Sequence, residues 1–134
     1  MLTFLNVKET RHIAYLHKAR ECFQSLQISI SSGRHTSTAM DAVHLVIFSI
    51  NALSCYYLRR PALISDHSKP AGLLDKLPLK RRRAEVKRAL KVFSFKEEVE
   101  RGTTPMTKKQ SFQMAKAAER VYAWAKENLP KQNI

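Results

Sequence analysis

Acidic residues are the scarce charge in this 134-residue chain. Eleven Asp and Glu stand against 24 Lys and Arg, a formal net charge of +13. That imbalance leaves the fold open, but it predicts attraction to polyanions, nucleic acid first and anionic membrane second. Glycine (3) and proline (5) are also sparse, which argues against long irregular regions and against a strand-and-turn architecture. Two cysteines, Cys22 and Cys55, cannot make a disulfide framework and have no metal-like neighbour spacing. They read as small, buried, reduced side chains of a cytoplasmic protein. A glycine-rich phosphate loop and a paired-histidine zinc spacing are both missing. His12 and His17 are five apart, off any shared helical face, and the acids are scattered with no cluster fit for magnesium. The sequence therefore predicts no metal and no cofactor.

The N-terminal MLTFLNVKETRH lacks the basic start, apolar run and small-residue cleavage site of a signal peptide. The most apolar window, Ala39 to Leu58, is long enough to span a bilayer. Asp41, His44 and Asn51 interrupt it and would be costly in lipid. A helix buried in the middle of a soluble bundle explains it better, so no membrane is expected.

What is present is helical periodicity. Ala, Leu, Lys, Arg and Glu are frequent, which favours helix. Leu16, Ala19, Phe23, Leu26 and Ile30 repeat at steps of three and four, predicting a first helix over Val7–Ile30 that Ser31, Ser32 and Gly33 end. The second starts near Thr36 as N-cap, runs to about Tyr57 and is apolar almost all round, so it is expected at the centre. Pro61 disfavours helical geometry at Arg60 and ends it. A short third helix is expected over Asp66–Leu77, with Leu73, Leu74 and Leu77 inward. A fourth follows over Leu79–Phe93, with Leu79, Val86, Leu90 and Phe93 inward. Thr107 and Gln110 have capping-box spacing and start a fifth, whose inner stripe is Met114, Ala118, Val121, Ala125 and Leu129, and which Pro130 stops. SFKEEVERGTTP, between the last two, fits either a helical extension or a loop. The expected fold is all-α: one domain over 1–134, an up-and-down bundle of about five helices.

Two elements carry candidate chemistry. On the fourth helix, Lys80, Arg81, Lys87, Arg88 and Lys91 project opposite the inner stripe, and Glu85 is its only acid. These cations can track a phosphate backbone, with salt-dependent affinity, or form only a solvated face. No aromatic interleaves them, which points to backbone contact and away from base stacking. Bound to duplex DNA or a membrane surface, the same face would define a third kind of function. The second element is the stretch RRPALISDHSKPAGLL. Its Arg60 can stabilise charge on a phosphoryl group, and its His67 can move protons near neutral pH. Together they suffice for metal-free RNA cleavage, although Arg60 could equally bind helix C-terminal carbonyls with His67 merely exposed. Among the other histidines, His44 reads as a core residue bonded to Asp41 one turn earlier. His12, His17 and His35 read as surface or phosphate-facing.

A helix carrying DAVHLVIFSINALSCYYLRR, then DHSKPAGLLDKL, then TKKQSFQMAKAAERVYAWAKENL resembles the HEPN superfamily over about Tyr15 to Leu129. The superfamily's motif is an arginine, four to six residues, then a histidine. Arg60 and His67 match with six between; Arg59 would need seven and does not. Pro61 departs from the polar residue that often follows the arginine. The resemblance implies a helical bundle that dimerises, so that two motifs face one cleft. It also implies a metal-independent endoribonuclease, as in toxins paired with a nucleotidyltransferase antitoxin and in antiviral systems, with Arg60 and His67 catalytic. RNA would be guided by Arg59, Lys80, Arg81, Lys87, Arg88 and Lys91. Other members are non-catalytic and bind nucleotides or partner enzymes.

Overall fold

The computed structural model describes residues 2–63 and 74–132, with side chains from residue 10 onward. Every regular element among the described residues is helical: α1 (Leu2–Ser31), α2 (His35–Leu58), a 3-10 turn (Leu74–Lys76), α3 (Arg82–Phe93), the six-residue α4 (Lys96–Arg101) and α5 (Lys108–Glu127). The all-α class expected from composition is therefore observed. The helix expected over Asp66–Leu77 lies mostly outside the described residues. Its described end is the 3-10 turn, with Leu74 and Leu77 buried.

Pairs along the chain give the topology. Ser29 meets Asp41, Tyr15 meets Phe48, and Arg11 reaches Arg59, so α1 and α2 form an antiparallel hairpin. Gln27 meets Glu119 and Phe23 meets Tyr122, so α5 runs antiparallel to α1 and hence parallel to α2. Arg81 meets Glu127, and Lys91 lines a groove with Gln113, so α3 runs back along α5.

The second helix is central, as its composition predicts. It packs on α1, α5, α3 and α4, and Leu45, Val46, Ile50 and Leu53 are fully buried. Among the described residues it is the one helix long and apolar enough to cross a membrane, yet most of that apolar stretch is covered by the other helices. Its stripe and those of Leu16, Ala19 and Leu26 on α1 and Met114, Ala118, Val121 and Ala125 on α5 join in one continuous core.

Helix ends follow local chemistry where the sequence supplies it. Gly33 sits at φ +69°, a left-handed turn that costs glycine little, and Arg34 N–H bonds back to Ser29 O at 3.0 Å. The Thr107–Gln110 capping box is complete. Thr36, in contrast, is not the cap of α2. The turn at Gly33 is tight enough that α2 begins at His35, with Arg34 in the cap position and no side-chain cap. α3 begins at Arg82 rather than Leu79. Arg81 takes a left-handed φ of 60°, and the Trp124 indole N–H donates to Lys80 O at 2.9 Å, holding that carbonyl out of the helix. The SFKEEVERGTTP segment resolves into a turn at Ser94–Phe95 followed by α4.

Candidate functional site

Arg59 and Arg60 emerge where α2 stops, and both are exposed. Arg59 closes the helix at φ 66°, a conformation that costs a non-glycine residue about 1–2 kcal/mol. Its N–H donates to Cys55 O at 3.1 Å, and its own carbonyl accepts the Arg11 guanidinium at 2.6 Å. The arginine that binds a helix-terminal carbonyl here is thus Arg11, from α1. Beyond Pro61 the chain is fastened by Asn51, a buried amide inside α2. Its Oδ1 accepts Ala62 N–H at 3.1 Å and Leu63 N–H at 2.8 Å, while its Nδ2 donates to Leu63 O at 2.9 Å. A buried amide must find partners. Here it finds three, and they fix the far end of the short segment that carries Arg60, while the Arg11–Arg59 contact holds the near end. His67 lies outside the described residues.

Two histidines depart from expectation. His12 is buried, not surface-facing, with its ring edge-on to Tyr56 at 4.8 Å, and neither ring nitrogen has a hydrogen-bond partner among the described residues. It lies one residue beyond Arg11, which brings it to this end of α2. His44 is not bonded to Asp41. The hairpin presents Ser29 to that carboxylate instead, and Ser29 Oγ donates at 2.9 Å, while His44 stacks near Phe48. His17 is exposed, as expected of a surface residue.

The cations of α3 divide into two groups. Lys80 and Arg81 stand at its start, beside the end of α5, where Arg81 pairs with Glu127 at 2.9 Å. Both partners of that pair are largely exposed, so it contributes little and yields readily to another anion. The same end of α5 touches the end of α2, because Tyr57 Oη donates to Asn128 O. Lys80, Arg81, Arg59 and Arg60 therefore share one end of the bundle.

Lys87, Arg88 and Lys91 lie farther along, opposite Gln110 and Gln113 of α5. At 1.5 Å rise per residue, the fifteen residues from Gln113 to Asn128 span about 22 Å. A groove of about 470 Å³ opens between these cations and α5, floored by Val92, Phe95, Met114 and Ala117, with no acid among the described residues that line it. No aromatic interleaves the cations of α3, but the groove beside them has one in Phe95, from the turn just past the helix. Arg88 is held at the groove edge by Glu85, whose carboxylate is buried and accepts from Nη1 at 2.6 Å. The lone acid of α3 is thus a structural anchor, which its position on a basic face does not announce.

A larger hollow of about 720 Å³ between α1 and α5 has mixed charge, with Arg20, Lys126 and Lys131 beside Glu127. Its Lys126 ammonium already sits over the Tyr122 ring at 4.7 Å. Both cysteines are free thiols. Burial pushes Cys22 up to about 11, helped by Asp41 and Glu21, and burial likewise raises Cys55 against the opposing pull of Arg11. Neither is poised as a nucleophile. No group of three or more His, Cys, Asp or Glu among the described residues could hold a metal ion.

Comparison with known proteins adds no relative: no family model, no curated protein and no solved structure matches this chain.

Proposed function

We propose that this chain is a metal-independent endoribonuclease of the HEPN type it resembles, acting as a homodimer in the cytoplasm. The observation that carries this reading is the station of Arg60: exposed, on a short segment clamped by Asn51 on one side and by the Arg11–Arg59 contact on the other. A cation that stabilises a phosphoryl transition state is most effective when it needs no reorganisation during the reaction. In the proposed step the 2′-oxygen of the RNA attacks the adjacent phosphorus and gives up its proton. The P–O5′ bond breaks, and the 5′-oxygen takes a proton. Arg60 holds the anionic phosphoryl group, and His67 serves as general base or acid. Arg59, Lys80 and Arg81 would receive phosphates at the same end of the bundle, and Lys87, Arg88 and Lys91 would receive those farther along.

The test is the chemistry of the product. Purified protein incubated with RNA in EDTA should yield 2′,3′-cyclic phosphate ends and leave a 2′-deoxy strand uncut. RNA that is bound but stays intact would defeat the catalytic reading.

A second reading is favoured by Pro61, which follows Arg60 directly. It makes the chain a non-catalytic module that binds a nucleotide or docks on a nucleotidyltransferase partner. Co-purification with such a partner, together with intact RNA, would select it.

A further inference from the structure

The groove between α3 and α5 combines three features that simple phosphate tracking does not require. Its floor is apolar, formed by Phe95, Met114 and Ala117. The polar side chains of its α3 rim are all cationic, with Lys87 and Lys91 exposed one helical turn apart, Arg88 between them and Ala84 beside them. Its rim on α5 is amide-bearing. A polyanion that presented only phosphates would leave the floor unused. A purely apolar ligand would leave the cations uncompensated. The ligand that satisfies both is anionic along one edge and flat and apolar along the other, which describes a nucleotide whose base has left its stack.

We propose that this groove seats one unstacked nucleotide of a single RNA strand. The base rests against Phe95 and Met114, and the flanking phosphates lie on Lys87 and Lys91. About 470 Å³ falls within the roughly 300–1,000 Å³ typical of sites for small organic groups. Two of the polar groups are already fixed. Glu85 holds the Arg88 guanidinium at 2.6 Å, so this cation at the groove edge is ordered before any ligand arrives. Thr107 donates from both its N–H and its Oγ1 to Oε1 of Gln110, each at 3.1 Å, which fixes that amide and leaves its Nε2 as a donor for a base carbonyl. Among the described residues no acid lines this groove, whereas Glu127 lines the hollow between α1 and α5 and would repel a phosphate there. The fit is to a single strand, because the bases of a duplex are paired and cannot enter. This inference rests on the RNA-binding half of the proposed function and is independent of its catalytic half.

The experiment measures binding of labelled RNA by fluorescence anisotropy across a salt series. The full chain carries His67→Ala, so that any cleavage is blocked; if the chain is no nuclease, the substitution is harmless and the measurement stands. Four comparisons are made. Ala117→Phe fills the floor and leaves every cation in place. It should weaken single-stranded RNA about tenfold with an unchanged salt slope, and leave duplex RNA unaffected. An abasic strand of equal phosphate number, on the unfilled groove, should bind about tenfold more weakly than the normal strand, and equally to both proteins. This arm needs no substitution in the groove and stands even if Ala117→Phe disturbs folding. Lys87→Gln with Lys91→Gln should flatten the salt slope by about 0.7 per lysine. Normal and abasic strands binding the unfilled groove equally would overturn the proposal, as would duplex RNA weakened as much as the single strand by Ala117→Phe. RNA cleavage by the native protein bears on neither outcome.

Discussion

Asn51 and Leu63 exchange two hydrogen bonds across the end of α2, Oδ1 accepting at 2.8 Å and Nδ2 donating at 2.9 Å. Asn51 thus replaces, for the chain beyond Pro61, the partners that a regular helix would have supplied. Replacing it with Ala would strand the Ala62 and Leu63 amides and the Leu63 carbonyl in a buried setting. At about 1–3 kcal/mol for each unsatisfied group, with partial relief by water, Asn51→Ala should cost about 3 kcal/mol of stability. Urea denaturation measures this directly. A loss under about 0.5 kcal/mol would mean that the segment is held by something else.

Glu85 and Arg88 should respond asymmetrically. The Glu85 side chain is the buried partner at 5% exposure, while that of Arg88 retains 27%. Arg88→Ala leaves a buried charge without its cation, a loss of about 3 kcal/mol. Glu85→Ala lets Arg88 rehydrate at the surface and should cost about half as much. Thermal or urea melts of the two variants decide the order, and the reverse order would contradict the burial.

The capping box is worth testing for its magnitude. Thr107→Ala removes the side-chain acceptor for Gln110 N–H. It should cost about 1 kcal/mol, and Tm should fall by about 4 °C. Thr107→Ser should restore most of this, because the hydroxyl returns.

The thiols give a pH prediction. Cys22 is raised from its ordinary 9.0 to about 11 in the fold, chiefly by burial. Between those values the unfolded chain has already lost the proton and the folded one has not. The thiol's contribution to stability is therefore complete below pH 9 and is lost as pH rises toward 11. Tyr15, Tyr57 and Tyr122 are raised in the same direction by burial. Native protein should react slowly with iodoacetamide at pH 9, and urea-unfolded protein should react quickly. Equal rates would show that Cys22 is not shielded.

The features legible in the sequence are those governed by near neighbours. Gly33, the Thr107–Gln110 pair and the stripe from Met114 to Ala125 all announce themselves through spacing. The apolar circumference of α2 announces a central helix. What could not be read depends on partners distant in sequence. The start of α3 at Arg82 depends on Trp124, 44 residues from Lys80. Ser29 takes Asp41 from His44 only because the hairpin aligns them. Asn51 reads in the sequence as a polar interruption, and the one available signal is that a buried amide in an apolar helix requires partners. The burial of His12 and the groove beneath Lys87 and Lys91 needed the packing of α1 on α2 and of α3 on α5. Arg60 stands exposed, as a charged residue at a helix end should. His67 falls outside the described residues, so its pairing with Arg60 rests on the motif.

The proposed activity is metal-free cleavage of RNA by Arg60 and His67. The most direct measurement compares native protein, Arg60→Ala and His67→Ala on one RNA in EDTA, with helical content checked by circular dichroism. Native protein should cleave, and each variant should lose at least about a hundredfold, the typical contribution of a positioned proton-transfer group for His67 and of a charge-stabilising donor for Arg60. Cleavage undiminished in both folded variants, or no cleavage by the native protein, would contradict it.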